Sequence, residues 1–349
     1  MPNPWGRFSR LTLKTDWSQW DPLGGLRGML GVAFPLIAGF AAGRLTDGVI
    51  GASGALALGL GSFQKDKQTH PGVLLLGALA MALSTCLGTL TGHWLWLSLG
   101  LASLWGFAGG LLFELDLPLS FVGNKAILAL LIAGGYPSDF PAALHRSLLV
   151  LSGGFVQALL AWAEGSLRVW RGGRPRAWGG APSFSKTLAP FKANLAFASP
   201  LFQGALRLAL ALGLSDLGSR FLSLQRAYWV PLTVLIILRP EFDQTFGRGL
   251  GRLAGTFLGV GFATALSLWL HPHPLVLALF VLLFSWLCFT LFAVNYALFA
   301  LALTAYVVFM VTLGGMNEEA AARDRLLGTL AGGLFAMLVF GLWPVGRKK

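Results

Sequence analysis

A pair of arginines in the second half of the chain has the residue type and spacing to bind an anion. Arg248 and Arg252 are four residues apart, so a helix would place both guanidinium groups on one face, where they could address one anionic group. Arg239 precedes them in the same loop. The alternatives are anchoring in lipid headgroups, or ion pairs with Glu241 and Asp243.

Three further cations lie at the edge of or inside apolar runs, where a charge costs several kcal/mol unless it is paired or hydrated. Arg207 lies several residues inside its run and is predicted to face a pore. Arg27 is nearer the end of its run, so it either faces the pore or snorkels to the interface. Lys125 is a further candidate ligand, with an ion pair to Glu114 or Asp116 as the structural alternative.

Two carboxylates are candidates for proton coupling, Asp216 and Asp324. A partner such as Arg220 would stabilise the charged form of Asp216 and oppose its proton cycling.

Uncharged side chains complete the predicted substrate site. Tyr228 and Trp229 could stack on an aromatic substrate, although anchoring in the membrane interface is the alternative. Thr233 follows them in the same apolar run. Asn295 could contact a ligand or join two helices.

Several chemical signatures are absent from the sequence. It has no GxxxxGK[ST] loop, no His, Cys and Asp cluster at metal spacing, and no paired nucleophile and base. Cys86 and Cys288 lie in apolar runs and are predicted to be free thiols. We therefore expect no enzyme, no metal and no cofactor, so active transport would have to use an ion gradient.

Composition indicates a polytopic membrane protein. Apolar residues make up 55% of the chain and charged residues only 11%, and the mean hydropathy is +0.70, whereas soluble domains carry about 25% charged residues. The net charge of +12 lies in short clusters between apolar runs, which excludes a nucleic-acid surface as its explanation. The N-terminus lacks the pattern of a cleaved signal peptide.

Apolar runs predict an all-α transmembrane bundle of about twelve spans. They lie near residues 26–45, 48–62, 72–92, 94–113, 118–134, 144–163, 200–218, 227–238, 250–270, 274–292, 294–313 and 325–343. The second and eighth are short, and the eighth contains Pro231. A broken or re-entrant helix is one interpretation of these two.

The distribution of Lys and Arg favours both termini in the cytoplasm. Residues 1–25 then form a cytoplasmic segment and 344–349 a basic tail. The basic, Gly/Pro-rich stretch 164–193 is predicted to be a cytoplasmic linker, either a flexible loop or a contact for anionic lipid.

Three dipeptides recur along the chain. Leu26-Arg27 returns at 206–207, Gln68-Thr69 at 244–245 and Gly153-Gly154 at 332–333, at offsets of 180, 176 and 179 residues. We interpret 26–163 and 194–343 as two copies of one six-span unit, arranged as parallel repeats because each has an even number of spans. The first copy lacks the arginines around Arg248, so the second is the predicted location of the site.

The order RAYWVPLTVLIILRP at 226–240, then RGLGRLAGTFLG at 248–259, resembles the fusaric acid resistance protein family, also called the aromatic acid exporter family. The resemblance covers most of the second half. It implies proton-coupled efflux of aromatic carboxylic acids across a bacterial inner membrane, with a fold related to plant malate transporters. Many members carry a large soluble domain that is not found in this sequence, which puts a periplasmic adaptor partner in doubt.

Three functions remain open at this point: a secondary exporter of organic anions, a passive anion channel of the malate type, and a non-transporting membrane scaffold. The expected partners are a small organic anion and membrane lipid but no nucleic acid, and a homo-oligomer is compatible with the sequence.

Overall fold

The computed structural model of the protein describes residues 15–64, 67–115, 117–170, 177–179, 196–197, 199–221, 226–238, 242–270 and 273–343. Within them the chain forms twelve α-helices, one for each predicted span. They are α1 (Pro22–Ala41), α2 (Leu45–Gly59), α3 (Pro71–Thr91), α4 (Leu95–Leu115), α5 (Leu117–Gly134), α6 (Phe140–Trp170), α7 (Pro200–Phe221), α8 (Trp229–Ile237), α9 (Phe242–Leu270), α10 (Pro274–Leu291), α11 (Tyr296–Leu313) and α12 (Glu318–Leu342).

Eight of these helices, within the described residues, are long and apolar enough to cross a membrane: α1, α3, α4, α6, α9, α10, α11 and α12. This confirms the predicted polytopic helical membrane bundle. The predicted shortness of the second and eighth runs is also confirmed. Helix α2 has 15 residues and α8 only 9, and a nine-residue helix extends about 14 Å, less than half of the hydrocarbon layer.

The helices form two compact units, and each unit uses segments from both halves of the chain. Unit 1 consists of Met1–Leu74, Leu149–Gly179 and Gly247–Leu327. Inside it, α1 packs on α2 and α10, and α11 packs on α10 and α2. Gly153 of α6 lies against the carbonyl of Gly51 in α2, and Gly255 of α9 lies against Ala297 of α11. Phe284, Phe309 and other buried apolar side chains fill the core.

Unit 2 consists of Leu75–Leu148, Gly180–Phe246 and Gly328–Lys349. Inside it, α7 packs on α8 and α4, and α5 packs on α4 and α8. Gly332 of α12 lies against Val230 of α8, and Gly88 of α3 lies against Leu130 of α5. Its core includes Ile127, Leu212 and Leu235.

The helix pairs of the two units correspond when α1 to α6 are matched in order with α7 to α12. The pair α1 and α10 of unit 1 matches α7 and α4 of unit 2, and α2 and α11 match α8 and α5. Each unit thus combines the first and second helices of one half with the fourth, the fifth and most of the third of the other, and the sixth helix of each half is divided, α6 after Leu148 and α12 after Leu327. The sequence duplication itself stays a prediction.

Helix α6 runs past the predicted start of the linker. It ends at Trp170, whereas the linker was expected to begin at Glu164, and Glu164 lies within the helix and pairs with Arg27 of α1. Three two-residue strands follow the order β1 (Phe63–Gln64), β2 (Lys67–Gln68) and β3 (Ala177–Trp178), with β2 and β3 parallel. Most of the predicted linker lies outside the described residues, as do 1–14 and the tail 344–349.

Candidate functional site

Arg252 lies in the interior of unit 1, ten residues into α9. Its side chain is 1% exposed, and none of its three guanidinium nitrogens has a hydrogen-bond partner in the described part of the chain. Gly251 and Gly255 flank it and bring α9 close to α11; a methyl group at Gly255 would lie 2.5 Å from the carbonyl oxygen of Ala297. Close helix packing therefore excludes lipid from Arg252.

Titratable groups from three other helices lie near this region of unit 1. Arg325 of α12 is also 1% exposed, and both Arg252 and Arg325 lie close enough to Cys288 of α10 to act electrostatically on its thiol. Tyr306 of α11 is buried near the same thiol. We call Arg252, Arg325, Cys288 and Tyr306 the arginine cluster.

The arginine cluster carries fixed positive charge in an apolar interior. A guanidinium stays protonated even when buried, so it cannot reduce its desolvation cost by losing a proton. Its planar donors match a carboxylate in a bidentate geometry. Asp324, the buried carboxylate next to Arg325 on α12, has Oδ1 3.9 Å from Nε of the exposed Arg323. Arg252, whose guanidinium has no acceptor among the described residues, is therefore suited to an anion that brings its own acceptors.

The other predicted residues of unit 1 have identifiable contacts. Arg248 lies over the ring of Tyr296, 5.2 Å from its centroid, a cation–π geometry. Nη1 of Arg27 lies 2.6 Å from Oε2 of Glu164, and both side chains are largely buried. Asn295 caps α11 by accepting hydrogen bonds from the backbone of the first turn, so its position is accounted for by helix initiation.

The predicted cations of unit 2 contact aromatic rings. Nη1 of Arg207 donates to the carbonyl oxygen of Trp343 at 3.2 Å, and its guanidinium lies 5.4 Å from the centroid of Phe340. Nζ of Lys125 lies 4.9 Å from the centroid of Phe121. Thr233 is buried and donates to the carbonyl oxygen of Trp229. Arg239 and Glu241 lie outside the described residues, and the side chain of Asp243 is among those the structure does not describe.

A partly open cavity of about 190 Å³ lies in unit 2, and two predicted residues, Asp216 and Tyr228, line it. Nε of Arg220 is 3.2 Å from Oδ2 of Asp216, and Nη2 of Arg220 donates to Oγ of Ser98 at 2.9 Å. Tyr228 is only 5% exposed, and its hydroxyl lies 3.1 Å from that of Tyr136. Burial in unit 2 favours packing over interfacial anchoring for Tyr228.

The sequence did not assign Arg325, Cys288 or Tyr306 to the site, and Cys288 was predicted only to be a free thiol, which it is. The last apolar run was predicted to begin near residue 325, because the polar residues 317–324 lower the local hydropathy. The structure begins α12 at Glu318. The alanine run 320–322 and Asn317, whose side chain accepts from the backbone of Ala320, are the signals that place this helix start earlier.

No group of three or more His, Cys, Asp or Glu side chains is placed to hold a metal ion in the portion of the chain that is described.

A family model described as "Fusaric acid resistance protein-like" matches residues 209–339. The predicted resemblance of the second half is confirmed over that stretch, which contains Arg252 and Arg325. An uncharacterized protein of Haemophilus influenzae is 31% identical over 152 residues, covering 43% of this chain and 21% of that protein. An uncharacterized protein of Synechocystis is 28% identical over 149 residues, covering 42% and 20%. The uncharacterized Escherichia coli protein YhfK is 29% identical over 161 residues, covering 45% and 22%.

The chain thus spans about a fifth of the length of these three relatives. No solved structure is significantly similar to it.

Proposed function

We propose that this multi-pass membrane protein, whose second half is similar to the fusaric acid resistance protein-like family, is a secondary transporter. It exports aromatic or other organic carboxylic acids across the inner membrane, coupled to protons. The observation that carries the proposal is Arg252, a fully buried guanidinium whose hydrogen-bond donors find no acceptor in the described part of the protein.

The energetics of Arg252 favour a transported anion over a purely structural role. A buried charge without a partner costs several kcal/mol, and a structural arginine would be expected to have a fixed acceptor, as Arg27 has in Glu164. An acceptor that arrives from outside the protein offsets this cost only while it is bound. When the site is empty, no fixed partner among the described residues binds the guanidinium. An incoming anion therefore has no competitor to displace.

The surroundings of the arginine cluster suit an aromatic acid. Phe284 and Phe309 belong to the same buried core as Cys288 and Tyr306, and their ring centroids are 5.6 Å apart. Aromatic walls of this kind favour edge-to-face or offset contacts with a substrate ring. A carboxylate on Arg252 and a ring against these walls would use both features.

We infer that α1 to α6 and α7 to α12 derive from one duplicated unit, with both termini in the cytoplasm. The strongest support is an arginine that recurs together with the position it contacts, although the residue at that position differs. Arg27 contacts Glu164 and Arg207 contacts Trp343, and the two positions recur at offsets of 180 and 179 residues. Movement of one set of helices against another would then expose the site alternately.

A second candidate, a passive anion channel, is favoured by the contacts of the two carboxylates considered for proton coupling. Asp216 is 3.2 Å from Arg220, and Asp324 is 3.9 Å from Arg323. A proton taken up by either carboxylate would have to weaken an arginine contact. A channel needs the buried arginines but no titrating acid.

Flux through reconstituted protein tests the proposal. Proteoliposomes are loaded with labelled 4-hydroxybenzoate, a pH gradient is imposed, and protein-free vesicles give the background leak. We expect concentrative movement that Arg252→Met reduces at least tenfold. Arg44→Met is the control, because Arg44 is 70% exposed in the same unit.

Each outcome selects one function. Flux without concentration, carried as current, supports the channel. Equal flux through wild type and Arg252→Met removes Arg252 from the pathway. If no aromatic or aliphatic carboxylate is transported, the result favours a non-transporting membrane scaffold.

A further inference from the structure

The cavity of unit 2 is built where several helices end together. It is lined by the C-terminal ends of α3, α5 and α7 and by the N-terminal ends of α4 and α8. Its volume is about 190 Å³, whereas a cavity of about 150 Å³ in another protein holds one benzene molecule. The space therefore accepts a single aromatic ring with one small substituent.

The charged groups at the cavity balance each other. Asp216 and Arg220 form an ion pair at 3.2 Å, four residues apart on α7. Arg220 is further held by its hydrogen bond to Ser98 on α4. A ligand that carries a net charge would lose its hydration on entry and find no unmatched opposite charge in this pair. Electrostatics therefore favour a ligand without net charge.

The walls supply a flat surface and hydrogen-bonding groups. Glycines of α3 and α5 line the cavity, among them Gly88 and Gly134, and the ring of Tyr228 lies against the backbone of Gly135. The hydroxyl of Ser98 accepts a hydrogen bond from Arg220, which leaves its own hydrogen to donate. A ring fits between such surfaces, and a polar substituent can reach Ser98.

We propose that this cavity is a binding site for a small, uncharged aromatic molecule that carries one hydrogen-bonding group, such as an aromatic alcohol. The site belongs to unit 2, whereas Arg252 belongs to unit 1. It concerns equilibrium binding, so it stands or falls independently of the proposed anion transport.

Three probes with the same ring and different charge test the proposal. Benzyl alcohol, benzoate and benzylammonium are titrated at neutral pH into the full chain in lipid nanodiscs, with empty nanodiscs to subtract partition into lipid. We expect benzyl alcohol to bind at least tenfold more tightly than either ion. Stronger binding of benzoate would overturn the proposal in favour of an anion site on Arg220, and stronger binding of benzylammonium in favour of a cation site on Asp216.

A steric variant locates the binding. A methyl group at Gly134 would lie 3.9 Å from Oγ of Ser98 and 3.9 Å from the carbonyl oxygen of Gly88, which is ordinary contact, so Gly134→Ala narrows the cavity without a clash. We expect it to weaken benzyl alcohol binding at least fivefold. Gly218→Ala is the matched control, because a methyl group there meets no atom within 4 Å, and it should bind like the wild type.

Binding of benzyl alcohol that Gly134→Ala leaves unchanged contradicts the proposal, since the molecule then binds elsewhere. If Gly134→Ala fails to fold, as judged by its thermal unfolding midpoint, the comparison of the three probes on the unmodified protein still decides.

Discussion

Arg252 in unit 1 and Arg220 in unit 2 are both arginines of apolar helical units, yet their electrostatic surroundings are opposite. Arg252 is fully buried and has no acceptor among the described residues. Arg220 is held by Asp216 and Ser98 beside an open cavity. Arg252 is a buried charge that no described acceptor neutralises, whereas Arg220 borders a cavity and is already paired with a carboxylate. A buried charge marks an anion site only when the protein does not neutralise it.

A second comparison shows that the two halves share packing more closely than they share chemistry. Arg27 and Arg207 stand at corresponding positions, but Arg27 contacts a carboxylate and Arg207 contacts a backbone carbonyl and a ring. Close helix contacts recur in both units at glycines such as Gly88 and Gly255. Packing follows from backbone shape, whereas charge pairing depends on single side chains.

The largest expected difference between the two regions is in stability. Arg220→Met leaves Asp216 buried without its ion-pair partner, so we expect the free energy of unfolding to fall by about 3 kcal/mol. Arg252→Met removes a buried charge that has no acceptor among the described residues, so we expect the free energy of unfolding to rise by about 1 kcal/mol. Unfolding with SDS in mixed micelles measures both.

A control isolates the ion pair in that experiment. The double variant Asp216→Asn with Arg220→Met should recover more than half of the loss, because no unpaired charge remains. A loss for Arg252→Met as large as that for Arg220→Met would abolish the contrast between the two regions.

The next largest effect concerns the two corresponding arginines. Glu164→Gln should lower the free energy of unfolding by about 2 kcal/mol, since Arg27 loses its charged partner at 2.6 Å. The corresponding change Trp343→Leu keeps the carbonyl oxygen that Arg207 contacts, so we expect a cost below about 1 kcal/mol. The same micelle titration compares them, and equal costs would show that the Arg27 pair is no stronger than the Arg207 contact.

Glycine substitutions test whether the packing of the two units is alike. A methyl group at Gly255 or at Gly88 would lie 2.5 Å from a carbonyl oxygen of the facing helix, so each alanine variant should cost about 1–3 kcal/mol. Gly261→Ala, on the same helix as Gly255, meets no atom within 4 Å and should be neutral or stabilising by up to about 1 kcal/mol. A large cost in only one unit would contradict the shared packing.

The smallest effect is expected at the wall of the cavity. Tyr136→Phe removes the hydroxyl that lies 3.1 Å from that of Tyr228, and a neutral hydrogen bond contributes about 1 kcal/mol. The thermal unfolding midpoint of the variant should fall by a few degrees. An unchanged midpoint would show that Tyr228 is positioned by Gly135 and its other neighbours alone.

Individual helices show how far the sequence could predict the fold. The short α8 follows from the Pro231 run, because the apolar stretch ends after a dozen residues. The extension of α6 to Trp170 was not predicted, because Glu164 was taken as the start of a polar linker, whereas in the structure it is largely buried against Arg27, 137 residues away. The early start of α12 was missed because hydropathy places the polar residues before 325 outside the span, although Asp324 among them is buried.

The candidate site divides in the same way. Arg252 was predicted from its spacing to Arg248 and its place at the edge of an apolar run. Arg325, Cys288 and Tyr306 were not, because each belongs to a different helix and nothing in its own neighbourhood indicates which helices meet. Asp216 was predicted as a proton carrier, with Arg220 as the residue that would oppose the role, and the two are in contact.

The sequence by itself determined the class of this protein and the places of the twelve α-helices found in the described residues, because an apolar backbone in lipid must satisfy its hydrogen bonds within each segment. That requirement is local, so it can be read from one stretch of residues at a time. Only the tertiary structure decided which helices of the two halves combine in each unit. It also decided that Arg220 pairs with Asp216, whereas Arg252 has no acceptor among the described residues. These outcomes depend on side chains far apart in the chain, whose contacts are set by packing rather than by hydropathy.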